Sequence, residues 1–221
     1  EHDVFVSKKA STPDELPAGS VIGTASLRRQ ALINKNWPDL KVEVIRGNVP
    51  TRIEKMKAGQ VDGLILAAAG VQRLGLEDEI SCILEPDLFI PCGGQGIVAI
   101  ERRKDSLGIT EVLDGLCCHK TAVRALIERG CLSALGGSCH SPIGINARQS
   151  DPAGDVEIWD INGFSGDPQG RYHYVHKSRI GVRTVNEAWQ AGEIFGKELL
   201  AKMDSAHISE LGLNLAYHER V

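Results

Sequence analysis

The chain has 221 residues, a length that allows two hydrophobic cores. Apolar residues make up 42% and charged residues 24%, which excludes a disordered or fibrous chain, and a net charge of -4 argues against a general nucleic-acid or membrane-surface binder. Any anion site must therefore be a local cluster of base, and no apolar run approaches the roughly 20 residues needed to cross a bilayer.

The run Asp3-Val4-Phe5-Val6-Ser7 already reads as a strand. With no secretory signal before it and Glu1 at the start, a processed, truncated or partially sampled N-terminus is expected. Residues 21–24 read as a strand, with a helix opening near Ser26. Residues 42–45 read as a second strand, after which Arg46-Gly47-Asn48 turns into a helix near Thr51. Residues 63–66 read as a third strand running into the small-residue helix Ala67-Ala68-Ala69-Gly70. Strand, polar turn and helix in repetition predict a parallel α/β lobe. A glycine-rich crossing at 91–96 precedes an apolar run at 97–100 that reads as a strand, then a helix at 109–116. Both elements look orphaned, because a lone strand-helix pair needs a larger sheet to join. From 119 to 135, Val123, Leu126, Ile127 and Cys131 recur at helical spacing. Three strands are expected at 143–147, 156–161 and 172–177, with hairpin turns at 151–154 and 165–170 and a long helix over 185–203. The expected fold class is therefore α/β plus α+β, with a periplasmic-binding-protein-like α/β lobe followed by a small C-terminal α+β domain. The expected division is an anion-binding α/β domain at 3–92, a strand-helix remnant at 93–117, and a small α+β domain at 118–221 with a three-stranded antiparallel sheet.

Arginines collect at the predicted strand ends. Arg28 and Arg29 follow the first strand, Arg46 leaves the second, Arg52 sits in the next helix, and Arg73 follows the third. In a parallel sheet these ends share one edge, where ligands bind and helix N-termini add N–H donors. Guanidinium forks match carboxylates and phosphates, so the rim suits a polyanion. The competing reading has these arginines solvated or paired with local acids such as Glu54 and Asp62. The turn Gly93-Gly94-Gln95-Gly96 either cradles an anion or simply joins two domains. Six cysteines (82, 92, 117, 118, 131 and 139) show no disulfide spacing, so reduced thiols are the default. Cys117-Cys118-His119 with Cys139-His140 lacks a C-x-x-C pair, and no metal is expected. Cys139 lies in the loop Gly136-Gly137-Ser138-Cys139-His140-Ser141-Pro142, a position open to a nucleophile or attachment point, whereas Cys131 belongs to an apolar helix face.

Together these segments resemble the porphobilinogen deaminase (hydroxymethylbilane synthase) family. The matching stretches are residues 21–30, 45–52 and 66–75, Gly94-Gln95-Gly96, and the loop 136–142. Their order and spacing fit, and the similarity covers nearly the whole chain. The resemblance implies a three-domain transferase of tetrapyrrole (haem and chlorophyll) synthesis, which joins four porphobilinogen units with loss of ammonia. It implies a dipyrromethane cofactor held by a thioether to Cys139, with Ser26, Arg28, Arg29 and Gly96 holding that cofactor. Arg46, Arg52 and Arg73 match positions that grip the acetate and propionate groups of the substrate. A monomer in the cytoplasm is expected, or in a plastid if a transit peptide precedes Glu1.

Two departures stand out. Ser138 replaces the glycine that often precedes the family's cysteine. The family's His-Ser-x-Lys-Asp motif, whose aspartate handles protons and stabilises cationic intermediates, occurs nowhere in this sequence. No catalytic residue is therefore assigned, most of the family's first domain is expected to be missing, and the chain alone is expected to be inactive unless that lobe is supplied. Two other functions compete. One is a reversible anion binder built like a periplasmic solute-binding protein. The other is a cysteine-dependent hydrolase or transferase using Cys139 with His119 or His140 as base.

Overall fold

The computed structural model describes all residues except 104, 106, 138–140, 152–154, 212 and 214–221. The first lobe is a five-stranded sheet in the order β3-β2-β4-β1-β5. It is built from β1 (Asp3–Ser7), β2 (Val21–Gly23), β3 (Lys41–Glu43), β4 (Gly63–Ala67) and β5 (Cys82–Leu84). The strands β2, β3 and β4 are parallel, as the strand-helix alternation predicts. In contrast, β1 runs antiparallel to both β4 and β5, so the sheet is mixed rather than parallel.

Both faces of the sheet are covered, and successive side chains take opposite sides. Val4, Val6, Leu64 and Leu66 pack with Ile53 and Met56 of α2 (Val49–Lys57) and Val71 of α3 (Ala68–Gln72). Phe5 and Ile65 point the other way, onto Leu32 and Ile33 of α1 (Leu27–Asn36) and onto Trp37 and Phe89. Local chemistry starts the first two helices. The Ser26 hydroxyl accepts from the Arg29 amide, the Asn48 side chain accepts from the Thr51 amide, and Pro50 sits in the first turn of α2.

The second lobe is a three-stranded antiparallel sheet of β6 (Ile143–Gln149), β7 (Glu157–Gly166) and β8 (His173–Val182). The strands run longer than the sequence pattern indicates. Ser165, expected in a hairpin turn, pairs with Tyr174, and the turn begins one residue past Gly166. The expected turn at 151–154 falls partly outside the described residues. One face of this sheet carries α5 (His119–Leu135) and α6 (Val185–Leu200), with Ile127, Cys131, Trp159, Ile161 and Phe195 in the core. The two helices approach closely through Gly130, Gly192 and Gly196, where an added Cβ would meet backbone atoms of the facing helix. A short α7 (Ser205–Glu210) follows, tied back by Arg171 to Glu210.

The other face of the second sheet meets the first lobe. Phe164 is buried in the same cluster as Phe5, Trp37 and Phe89, and the Ile145 amide donates to the Pro91 carbonyl at 2.8 Å. A Cβ on Gly144 would lie 2.7 Å from the Ile90 carbonyl oxygen, so the contact requires glycine there.

The segment expected as a strand at 97–100 is not one. Residues 97–103 have no regular structure, and Val98 is 82% exposed and Ile100 62%. The following α4 (Thr110–Leu116) buries none of its residues, leaving Val112 and Leu116 exposed as well. An apolar run without a neighbouring strand has no ladder to join, so its hydrophobic pattern alone does not make it a strand. Among the described residues, no helix is long and apolar enough to cross a membrane.

Candidate functional site

A cavity of about 360 Å³ opens where the two lobes meet. Ser26, Arg28 and Arg29 reach it from the first turn of α1. Cys92, Gly93 and Gln95 reach it from the glycine turn, while Leu132, Gly137, Ser141 and Ile143 come from the second lobe.

Arg28 and Arg29 are neither solvated nor paired with Glu54 or Asp62. Arg28 is 3% exposed and Arg29 9%, and both close on Asp3, which is fully buried. Arg28 Nη1 donates to Asp3 Oδ2 at 2.7 Å and to the Ile90 carbonyl at 2.7 Å. Arg29 donates to Asp3 Oδ1 from Nε at 3.1 Å and from Nη2 at 2.8 Å, and Nη1 donates to the Ile65 carbonyl. Burial by itself raises the Asp3 carboxyl, but the Arg28 and Arg29 charges outweigh it and hold the group below the usual carboxylate range. Burial lowers Arg29 from its ordinary value, with Asp3 opposing the shift. Arg28 Nε is buried with no hydrogen-bond partner among the described residues.

Gln95 links this triad to the glycine turn. Its Nε2 donates to Asp3 Oδ1 at 3.2 Å and to the Glu1 carbonyl at 2.6 Å, and the Cys92 thiol lies 3.4 Å from its Oε1. The turn requires glycine at 94 and 96, which adopt φ of 77° and 76°. Glu128 of α5 fixes it from the other lobe. Its carboxylate accepts from the Gly94 amide at 2.6 Å, the Ala147 amide at 3.1 Å and Arg124 Nε at 3.1 Å. Arg124 Nη2 in turn donates to the Gln95 carbonyl at 2.8 Å. Burial pushes the Glu128 pKa up, and Arg124 and the two amides only partly offset that.

The residues singled out in the sequence therefore separate into groups. Ser26, Arg28 and Arg29 share the cavity. Gly96 shapes the turn without lining the cavity. Arg46, Arg52 and Arg73 do not line it either. Arg46 and Arg73 are exposed, and half-buried Arg52 donates from Nε to the Gly47 carbonyl at 2.7 Å. Cys139, with Ser138 and His140, lies outside the described residues, although its chain neighbours Gly137 and Ser141 both line the cavity. Cys131 is a core residue whose thiol is pushed up by burial. Among the described residues, no group of three or more His, Cys, Asp or Glu side chains is placed to hold a metal. Sequence reasoning missed Asp3, Gln95 and Cys92 as site residues. Gln95 carried a signal, since it sits between two glycines of a motif. Asp3 carried none, because only the antiparallel orientation of β1 brings it to the C-terminal end of β4, opposite Ala67.

Fold and cavity together define a two-lobed protein with an arginine-lined pocket between a mixed α/β lobe and an α+β lobe. Residues 1–111 match the family model described as porphobilinogen deaminase, dipyromethane cofactor binding domain. The chain is 49% identical over 146 residues to the porphobilinogen deaminase of Nitrobacter hamburgensis, covering 66% of this chain and 46% of that relative. It is 44% identical over 181 residues to the porphobilinogen deaminase of Nitrobacter winogradskyi, covering 82% of this chain and 55% of that relative. The chain belongs to the porphobilinogen deaminase family. It spans about half the length of these curated relatives.

Proposed function

We propose that this chain takes part in tetrapyrrole synthesis as the cofactor-holding portion of a transferase that joins porphobilinogen units with loss of ammonia. The observation that carries this reading is the buried Arg28–Asp3–Arg29 triad on the inter-lobe cavity, within the matched family domain. A dipyrromethane fits the donor set. Its carboxylates suit a net-positive pair of guanidinium groups, and Arg28 Nε still lacks a partner among the described residues. In this reading Ser26, Arg28 and Arg29 hold the cofactor, and the turn containing Gly96 shapes the cavity wall. Cys139 forms the thioether, and a tethered dipyrromethane would supply the pyrrole end to which further units are joined. Arg46, Arg52 and Arg73, outside the cavity, are assigned to carboxylates of the incoming unit and the growing chain.

Developing positive charge on a pyrrole intermediate calls for a nearby carboxylate. Asp3, the acid nearest the arginines, has both oxygens engaged by guanidinium groups, so it is a poor proton carrier. The proposal therefore leaves proton handling to a further lobe covering the exposed apolar residues Val98, Ile100, Val112 and Leu116, and the chain alone is expected to be inactive. Intact mass under denaturing conditions tests the cofactor assignment. A gain equal to two pyrrole units, abolished by Cys139→Ser, is the expected result. The bare sequence mass after coexpression with the complementary lobe would favour a reversible anion binder instead.

A further inference from the structure

Two guanidinium groups meet one carboxylate beneath the cavity, and the carboxylate is the most deeply buried of the three. Asp3 accepts from Arg28 with one oxygen and from Arg29 and Gln95 with the other, so a single side chain sets three donors at once. Without it, two buried guanidinium groups on adjacent residues would repel each other and leave two positive charges with no counter-charge. With it, the group carries one net positive charge.

We propose that Asp3 is a positioning and specificity-determining residue, which orients Arg28 and Arg29 and limits their combined charge so that this part of the cavity accepts one carboxylate rather than a dianion such as phosphate. The inference deepens the proposed function and rests on it for the identity of the ligand.

Cys92 provides a reporter inside the same cavity, and exposed Cys117 provides a control outside it. Iodoacetate and iodoacetamide each convert a thiolate to a thioether with loss of iodide, and they differ in bearing one negative charge or none. The ratio of their rates at one thiol therefore reports local potential, independently of how much thiolate is present. The experiment uses the full chain with Cys139→Ser, which keeps the cavity free of a tethered adduct, and localises alkylation by peptide mass spectrometry. The ratio at Cys92 is expected to exceed that at Cys117. Asp3→Asn should raise it by about threefold or more, the effect of one added charge at cavity distance, and Arg29→Gln should lower it. Inorganic phosphate should protect Cys92 in Asp3→Asn at lower concentration than in the parent, with acetate changing less.

A folded Asp3→Asn chain, judged by circular dichroism, whose ratio and phosphate protection match the parent overturns the proposal. If Asp3→Asn does not fold, Arg29→Gln decides, and an unchanged ratio there overturns it equally. A purely structural role for Asp3 would alter stability without moving the ratio in a folded chain. These outcomes are separate from the mass test. A shifted ratio in a protein that never gains pyrrole mass upholds Asp3 and refutes the cofactor reading, and pyrrole mass with an unshifted ratio does the reverse.

Discussion

Asp3 and Glu128 are both buried carboxylates, yet their environments act on them in opposite directions. Asp3 faces two guanidinium groups and is held below the ordinary range, whereas Glu128 faces one guanidinium and two amides and is raised by burial. A depressed carboxyl contributes stability above its unfolded pKa of about 4. That contribution is lost as pH falls through the folded value. A raised carboxyl contributes below its unfolded value and loses that contribution as pH rises through the folded one. Urea midpoints between pH 3 and pH 7 should therefore show Asp3→Asn with a shallower loss on acidification below about pH 4. Glu128→Gln should lack the decline that the parent shows as pH rises above that range. At neutral pH, Asp3→Asn should cost about 3–5 kcal/mol, because it leaves two buried guanidinium groups without their counter-charge. A midpoint-against-pH curve for Asp3→Asn parallel to that of the parent would contradict the assignment.

At the scale of elements, the second lobe depends on how closely α5 and α6 approach. Gly192 faces the Ile127 carbonyl and the Cys131 amide, and Gly196 faces the Cys131 carbonyl, so backbone rather than flexible side chains occupies the space. Gly192→Ala should therefore destabilise the protein by about 1–3 kcal/mol or more, because neither helix can yield without moving off the sheet. Ile194 projects into solvent from the same helix, and Ile194→Ala should stay within about 0.5 kcal/mol of the parent. Thermal melts of the two variants make the comparison. Equal midpoints would show that the helix contact carries no such constraint. The close approach also fixes where α5 ends, and so where Gly137 meets the cavity wall.

Across the whole molecule the lobes share a core. Phe164 belongs to the second sheet but is buried among Phe5, Trp37 and Phe89 of the first lobe, and Asn34 donates to the Pro168 carbonyl at 2.6 Å. Calorimetry should therefore give one cooperative transition, with calorimetric and van't Hoff enthalpies in agreement. Phe164→Ala should cost about 3–5 kcal/mol and should loosen both lobes, because its ring serves both. Two resolved transitions in the parent protein would contradict the shared core. The cavity lies on this junction, so its shape depends on both lobes remaining docked.

Much of the architecture was legible in the sequence because it is encoded locally. The helix opening near Ser26, the turn at 46–48 that leads into the next helix, the apolar spacing of Val123, Ile127 and Cys131 on a helix face, and the strands read at 21–24 and 63–66 all have counterparts in the fold. The ordered motifs also carried the family, since a motif is a property of the chain and needs no partner. The site was legible only in part. Arg28 and Arg29 could be seen at a strand end, but their counter-charge could not, because Asp3 lies 25 residues from Arg28 and arrives through the antiparallel placement of β1. Had β1 run parallel to β4, Asp3 would stand at the opposite edge of the sheet. The apolar run at 97–100 misled for a related reason, since a strand exists only where a neighbour completes its ladder. Composition, helix starts, motif order and family were thus determined by the sequence itself. The direction of β1, the pairing of two arginines with one buried carboxylate, and the single net charge of that triad were decided only by tertiary structure, because each depends on groups that meet in space and not along the chain.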